Sequence, residues 1–382
     1  MKILVLGADG YLGWPTCMYF SAQGHEVVGI DNYFKRHACM ELDCEPLIPT
    51  PNLLQRTKIW KEASGKKINI QIGDVTDYGF LLSVFKSYIP DTVIHYAEQP
   101  SAPYSMINRE KAAQTIQNNL ISTLNVAYAV KEVKPECHII KIGTMGEYGT
   151  PDIDIEEGWL EITHKGRKNK FLFPRQASSL YHTTKIQDTD LLWFYIRMWG
   201  LRVTDLMQGP VYGISTNESD MEDRLLPNFH YDEIFGTVLN RFIVQAVAGY
   251  PLTVYGKGNQ IRGYLNLKDT MQCVHLSAIE PAKPGELRIF NQITETFSVN
   301  DLAEKVRKVG KNLGYDVSID HIRNPRVEKE EHYYNPSYTG LAELGLKPNF
   351  LTDEVISGIF RTVEKYKSGI DKGKIFKGIE WK

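Results

Sequence analysis

Tyr181 and Lys185 lie four residues apart in the stretch LYHTTK, so both side chains would share one face of a helix. An ammonium group beside a phenol favours the phenolate and lowers the pKa of the tyrosine. Such a tyrosine can accept a proton from an alcohol near neutral pH. The spacing therefore predicts that Tyr181 is a general base and that Lys185 supports it.

Thr144 ends the apolar stretch CHIIKIGT, and its hydroxyl could hold the substrate oxygen from which Tyr181 takes a proton. The chain continues through Met145 and Gly146, so the nearest carboxylate of this loop is Glu147. Two interpretations of Glu147 are open, namely acid–base catalysis and a hydrogen bond to the backbone of its own loop.

A glycine pattern follows the first apolar stretch, KILVLG, with glycines at positions 7, 10 and 13. Glycine lets the backbone turn tightly and approach a pyrophosphate, and the N-terminus of the following helix offers free N–H groups. A plain turn between a strand and a helix is the alternative. The pattern predicts a dinucleotide site that includes Gly7, Asp9, Gly10, Tyr11, Leu12 and Gly13.

Asp31 ends the second apolar stretch, HEVVGID, and supports the dinucleotide interpretation. A carboxylate in this place accepts hydrogen bonds from the adenosine ribose and repels a 2′-phosphate, which predicts NAD rather than NADP. Arg36 is the one nearby residue that speaks against this preference for NAD. Arg36 and Asn32 are also assigned to the cofactor site. Asp74 and Val75 end the third strand where adenine is expected, although Asp74 could instead cap a helix.

A scaffold must bring these residues together, and the first half of the chain alternates strands with helices. Strands are predicted at KILVLG, HEVVGID, 69–75, 92–97 and 137–144, and helices at 11–23 and 118–133. This alternation predicts an α/β fold with a doubly wound parallel sheet. We expect a NAD-binding Rossmann domain over 1–207, with later segments returning at about 232–250 and 264–292. A smaller substrate domain is expected over 208–382.

The composition limits the classes of function. The chain has 382 residues and a net charge of −2, without the basic clusters that nucleic-acid binding requires. No apolar stretch reaches the length of a transmembrane helix, and no signal or transit peptide is predicted. The five cysteines form no CxxC pair, so we expect reduced thiols and a cytoplasmic location. Cys39, Cys44 and His37 are close in sequence but lack further ligands, so no metal site is expected.

Several long stretches resemble the nucleotide-sugar branch of the extended short-chain dehydrogenase/reductase family, and within it the enzymes that use sulfite. These stretches are HYAEQPSAPYSM, GTMGEYGTPDIDIEEG, QASSLYHTTK, DLMQGPVYG, TVYGKGNQIRGYL and NPRVEKEEHYYN. The resemblance implies bound NAD, with UDP-glucose and sulfite as substrates. It also implies oxidation at C4, loss of water across C5 and C6, addition of sulfite at C6, and reduction at C4.

The resemblance also implies roles for individual residues. Glu147 is the first candidate for the base at C5, His182 is the alternative, and Met145 would pack against the sugar or the nicotinamide. Residues expected at the cofactor are Ala97, Glu98, Asn119, Tyr181 and Lys185. Residues expected at the substrate are Gln99, Ser101, Thr144, Gln208, Asn240, Thr253, Val254, Tyr255, Arg262 and Arg326.

Pro100 departs from this group, because its plant members carry an arginine at that place. Gln99, Ser101, Arg175 and His182 then remain as possible donors to sulfite.

Three other functions are compatible with parts of the pattern. A UDP-glucose 4-epimerase would use the same tyrosine and lysine and stop at the ketone. A 4,6-dehydratase would need a pair of acidic side chains directly after the threonine, and that pair is missing here. A non-catalytic NAD-binding scaffold would not need Thr144, Tyr181 and Lys185 intact. A homodimer is expected by analogy with the fold family.

Overall fold

The computed structural model describes residues 1–325, 332–376 and 379. Its strands, in chain order, are β1 (Lys2–Leu6), β2 (Glu26–Asp31), β3 (Asn69–Ile72), β4 (Thr92–His95), β5 (His138–Thr144), β6 (Trp159–His164), β7 (Arg167–Leu172), β8 (Arg202–Gln208), β9 (Val211–Tyr212), β10 (Leu252–Tyr255), β11 (Ile261–Asn266), β12 (Leu287–Gln292), β13 (Glu295–Ser298) and β14 (Ile319–Ile322). Its helices are α1 (Gly13–Ala22), α2 (Phe34–Glu41), α3 (Leu53–Ser64), α4 (Tyr78–Tyr88), α5 (Ala102–Ser105), α6 (Arg109–Val133), α7 (Leu180–Trp199), α8 (Val238–Ala248), α9 (Leu267–Ile279), α10 (Val299–Asn312), α11 (Gly340–Glu343), α12 (Asp353–Lys365) and α13 (Lys372–Ile375).

Seven parallel strands form the central sheet, in the order β12-β8-β5-β4-β1-β2-β3. β1 and β4 are buried on both faces, which explains why KILVL and TVIH are almost continuously apolar. The strand order reverses between β1 and β4, and in open α/β sheets ligands bind in the crevice at such a reversal. The predicted doubly wound α/β sheet is confirmed, and its crevice lies where the glycine pattern begins.

Helices cover both faces of this sheet. α4, α6 and α7 contribute Val84, Val126 and Leu192 to the core on one face. α1 and α9 contribute Met18 and Val274 to the core on the other. α6 begins at Arg109, earlier than the predicted start at 118, because the side chain of its N-cap, Asn108, accepts a hydrogen bond from the Lys111 amide.

A second core lies in the later part of the chain and corrects one predicted boundary. α8 places Phe242 and Ile243 in one apolar cluster with Leu302 of α10 and Ile356 of α12. Within the segment 232–250, α8 therefore belongs to this second core, whereas Ile234 packs with Ala38 and Tyr104 of the first domain. By contrast, 264–292 does return to the sheet, because α9 packs on the sheet and β12 is its edge strand.

Two kinds of feature are absent from the described ranges, namely a membrane-spanning helix and a group of metal-binding side chains. No helix in them combines the length and the apolar character that crossing a bilayer requires. No three or more histidine, cysteine, aspartate or glutamate side chains in them are grouped so that they could hold a metal ion.

Candidate active site

The glycine turn after β1 is as tight as the pattern requires. Gly7 has a φ of +85°, and a Cβ there would lie 2.7 Å from the carbonyl carbon of Tyr96 at the end of β4. A Cβ at Gly13 would lie 1.9 Å from the Gly7 carbonyl oxygen. Neither position has room for a side chain, so the N-terminus of α1 lies open against the crevice of the sheet.

Asp31, at the end of β2, lines the next part of the crevice. Its carboxylate accepts hydrogen bonds from the Asp9 amide at 2.8 Å and from the Tyr33 amide at 2.6 Å. Burial, and then the neighbouring charge of Asp9, raise the pKa of Asp31 to about 6. The carboxylate is thus fixed in place and still ionised at neutral pH, as ribose recognition requires.

Arg36 does not face the crevice, although it was expected at the cofactor. Its guanidinium donates to both carboxylate oxygens of Asp9, at 2.5 and 2.8 Å, and to the backbone oxygens of Thr50 and Pro51. A guanidinium held by four acceptors is not available to a 2′-phosphate. Arg36, the one residue that spoke against NAD, therefore forms a structural ion pair with Asp9 behind the glycine turn.

A cavity of about 1030 Å³ begins at this turn and extends into the second core. Most residues predicted for the cofactor line it, namely Gly7, Asp9, Gly10, Tyr11, Leu12, Gly13, Asp31, Asn32, Val75, Ala97, Glu98, Tyr181 and Lys185. The tight glycine turn, the open helix N-terminus and the fixed Asp31 carboxylate fit the pyrophosphate and ribose of NAD.

Two residues expected at the cofactor support the cavity wall from behind. Asp74 accepts hydrogen bonds from Thr76 and from the Asn32 side chain, which itself lines the cavity. Asn119 is fully buried and joins the backbone of Gln99, after β4, to the Thr184 hydroxyl of α7. Neither faces the cavity, so their part is to hold the residues that do.

α7 presents Tyr181 and Lys185 to the cavity on one face, as the spacing predicts. Ser179 is the N-cap of this helix, and its side chain accepts a hydrogen bond from the His182 amide. Burial, followed by the charges of Glu98 and Glu147, raises the pKa of Tyr181 far above its usual range. Burial opposes the charge of Lys185, but Glu98, Asp188 and Glu147 together outweigh burial, and the pKa of Lys185 is raised.

Glu147 lies in a buried charge network and does not line the cavity. One carboxylate oxygen accepts from the Thr144 amide at 3.1 Å and from Lys141 at 3.3 Å, and the other accepts from Arg175 at 2.8 Å. Glu147 thereby caps the short 3₁₀ turn of residues 145–147. This geometry matches the second interpretation, a carboxylate bonded to its own loop, and adds two cations that the local sequence does not reveal.

The imidazole of His182 packs against the same turn of residues 145–147, at Gly146. A Cβ added to Gly146 would lie 2.3 Å from His182 Nε2, so the imidazole fills the space in which a side chain at 146 would stand. Its Nδ1 lies 3.0 Å from the hydroxyl oxygens of Ser178 and Ser179. When Nδ1 carries the ring proton and donates to these oxygens, Nε2 is the unprotonated nitrogen, and it lies against the backbone of Gly146.

Gln99 and Ser101 are occupied by internal hydrogen bonds. The Gln99 amide donates to Thr115 and to the Ser101 carbonyl, and it does not line the cavity. The Ser101 hydroxyl lines the cavity but donates to the Ile234 carbonyl at 2.6 Å. Of these four residues, His182 and Ser101 line the cavity, whereas Gln99 does not and Arg175 is paired with Glu147.

Most residues predicted for the substrate line the far part of the cavity, namely Thr144, Gln208, Asn240, Thr253, Tyr255 and Arg262. Val254 points into the second core. Arg326 lies outside the described residues. Sequence analysis missed Arg241, which follows Asn240 in α8 and lies over the Tyr255 ring at 5.1 Å. A single cation in the apolar run VLNRFIVQAVA was the signal that could have found it.

The Asp31 carboxylate should decide between NAD and NADP. Replacing it by serine removes the charge that repels a 2′-phosphate, so we expect the preference for NAD to fall about tenfold or more, which is ~1.4 kcal/mol. Binding titrations of both dinucleotides measure this ratio. Glu26→Gln, at the other end of β2, is the matched control. An unchanged ratio in Asp31→Ser would contradict the assignment.

The buried network predicts that Glu147→Gln destabilises the fold. Removing one partner of a buried ion pair typically costs about 3–5 kcal/mol, because the other charges remain buried. Urea unfolding measures the loss. Glu161→Gln, from an exposed pair with Lys168, should cost at most about 1 kcal/mol. If Glu147→Gln were as stable as that control, Glu147 would not hold the turn.

Comparison with known proteins agrees with this site. The sequence pattern described as the NAD dependent epimerase/dehydratase family matches residues 3–291. The UDP-sulfoquinovose synthase of spinach chloroplasts (Spinacia oleracea) is 49% identical over 381 residues, which is 100% of this chain and 79% of that protein. The UDP-sulfoquinovose synthase of Sulfolobus acidocaldarius is 46% identical over 98% of this chain and 95% of its own length.

A solved structure has the same fold at low identity. The UDP-glucose 4-epimerase of Bifidobacterium longum, in complex with NAD⁺ and UDP, matches with a TM-score of 0.72 and 21% identity, over 97% of this chain and 100% of that one. The chain therefore belongs to the NAD dependent epimerase/dehydratase family and, within it, to the UDP-sulfoquinovose synthases.

Proposed function

We propose that the protein converts UDP-glucose and sulfite into UDP-sulfoquinovose, with NAD held in the crevice of the sheet. The observation that carries the proposal is the imidazole of His182 in the space that Gly146 leaves free. A 4-epimerase has no need of a base beside C5, and a 4,6-dehydratase would use side chains at 145 and 146 for that work. The identity to two UDP-sulfoquinovose synthases supports the same choice.

Tyr181 opens the reaction by accepting the proton of the C4 hydroxyl, while the Thr144 hydroxyl holds the same oxygen. Lys185, on the same face of α7, keeps a positive charge beside the phenol. Bound NAD supplies the hydride acceptor, and later the hydride donor, at C4. The resulting C4 ketone acidifies the hydrogen on C5.

His182 then removes the C5 proton through Nε2, and the C6 hydroxyl leaves as water after it takes a proton from the imidazolium. The product is an enone that is conjugated to the C4 ketone. The sulfur lone pair of hydrogen sulfite attacks C6 and forms the carbon–sulfur bond, while the proton of hydrogen sulfite passes to the imidazole of His182. The imidazolium then returns this proton to C5. The net change replaces the C6 hydroxyl by a sulfonate and releases one water.

The charges along the cavity suit an anionic nucleophile. Met145 is buried and apolar at the place where the dehydratases carry an acid, and Glu147 points away from the cavity. Lys35 and Arg262 add positive charge to the wall, whereas the charge of Arg241 is offset by Glu233 at 3.2 Å. A pair of carboxylates at 145 and 146 would repel sulfite in a site of low dielectric constant.

We also propose a homodimer that is formed by α6 and α7. These two helices lie side by side and expose Ile121, Phe194 and Met198, with 40%, 48% and 61% of each residue accessible to solvent. An apolar face of this kind is unusual on a monomer. Sedimentation equilibrium tests it, and a monomer at micromolar concentration would count against it. The cytoplasmic location remains a prediction.

Labelled sulfite gives the direct test of the reaction. With UDP-glucose and ³⁴S-sulfite, mass spectrometry should show a UDP-hexose in which one hydroxyl has become a labelled sulfonate. Tyr181→Phe should lower its formation by about 10²–10⁴ while the protein keeps its NAD. Formation of UDP-galactose without any labelled product would identify an epimerase instead.

His182→Gln separates the base at C5 from the base at C4. In deuterated water the wild-type protein should exchange the C5 hydrogen of UDP-glucose, and the variant should lose that exchange by about 10²–10⁴. Reduction of bound NAD by UDP-glucose should persist, because Tyr181 is intact. Exchange at the wild-type rate in His182→Gln would remove His182 from this role.

A further inference from the structure

Lys185 stands between two carboxyl groups at the wall of the cavity, with its side chain almost completely buried. Its Nζ donates a hydrogen bond to Glu98, after β4, and lies 3.6 Å from Asp188 Oδ2, one turn further along α7. The side chains of Lys185, Glu98 and Asp188 have 2%, 6% and 0% of their surface exposed. One ammonium group therefore faces two acids with almost no water to screen them.

The neighbouring ions do not balance this excess. Lys141 binds Asp205 at 3.0 Å and Glu147 at 3.3 Å, and Arg175 binds Glu147, so that group has two cations and two carboxylates. His95 lies 3.5 Å from Glu98, but burial lowers its pKa to about 4, so it is neutral at pH 7. If Glu98 and Asp188 were both ionised, the group around Lys185 would therefore carry one net negative charge.

Asp188 is the weaker anion of the two. Glu98 has the hydrogen bond from Lys185, whereas the donors near Asp188 are Lys185 Nζ at 3.6 Å and the Thr123 hydroxyl, and neither meets the geometry of a full hydrogen bond. A buried carboxylate with such weak donors is strongly disfavoured, and the neutral acid is much less so. Burial, and then the charge of Glu98, raise the pKa of Asp188 well above its usual range.

We propose that Glu98 and Asp188 form a buried carboxyl pair that shares one proton around Lys185, with the proton mainly on Asp188. The pair leaves a single counter-ion for the ammonium group. Glu98 and Asp188 are positioning residues in this view, since they act on the reaction only through Lys185 and Tyr181. That part of the inference rests on the proposed function, whereas the shared proton does not.

Because the two acids share one proton, the loss of one acid changes the charge of the other. If either acid is replaced by its amide, the other one ionises and again supplies one negative charge to Lys185. Glu98→Gln and Asp188→Asn should therefore each remove the neutral acid without removing the counter-ion. Only the double variant leaves Lys185 with no carboxylate partner, and Tyr181 then loses the nearest negative charge that disfavours its phenolate.

Infrared difference spectroscopy detects the neutral acid directly, in protein without substrate. The spectrum of wild type minus Asp188→Asn should contain the carbonyl stretch of a protonated carboxylic acid, and the difference against Glu98→Gln should contain the same band. Asp190→Asn, an exposed aspartate on the same helix, is the matched control and should leave the band in place. Absence of the band from the Asp188→Asn difference would show an ionised Asp188 and overturn the proposal.

The pH dependence of NAD reduction by UDP-glucose, without sulfite, tests the effect on Tyr181. Each single variant should keep the acidic limb of the pH–rate profile near its wild-type position. The double variant should move that limb about one pH unit or more lower. A double variant whose acid limb does not move to lower pH would overturn the link to Tyr181. Because the infrared band requires neither substrate nor sulfite, it would survive a failure of the proposed reaction.

Discussion

The buried ammonium group of Lys141 connects almost every part of the candidate site. It donates to Asp205 on β8, to the Thr189 hydroxyl and the Lys185 carbonyl of α7, and to Glu147 in the turn after β5. A fully buried lysine with four oxygen partners is stable only while all of them stay in place. The position of α7, and with it the Tyr181 side chain, is thereby tied to the loop that carries Thr144.

The same network explains why an unusual loop sequence can do acid–base chemistry. Glu147 is used to hold the turn, so the turn itself contributes no carboxylate to the cavity. In the proposed reaction the base at C5 comes from α7, where His182 packs against the bare backbone of Gly146. A neutral imidazole removes a proton as an acid pair would, but it does not repel an incoming anion.

Local spacing made much of this predictable. The glycine turn, Asp31 and the Tyr181–Lys185 pair each depend on residues within one strand–helix unit, and all of them line the cavity. Predictions from the sequence were wrong or incomplete where the hydrogen-bond partner of a residue lies far along the chain. Arg36 is bonded to Asp9 across 27 positions, and Glu147 is bonded to Arg175 across 28. Within the segment 232–250, α8 was misplaced for a related reason, because an apolar helix fits either core and only tertiary packing decides between them.

The electrostatic design of the site also bears on when it is active. Burial and the charges of Glu98 and Glu147 raise the pKa of Tyr181, so the phenol is neutral at pH 7, and Glu98 offsets the charge of Lys185. A lower local dielectric constant cannot turn this phenol into a base, because burial by itself disfavours the phenolate. Positive charge near the phenol, such as that of Lys141, acts in the opposite direction. In the proposed reaction, proton transfer from the C4 hydroxyl to Tyr181 therefore depends on the cations of the site outweighing burial and the carboxylates.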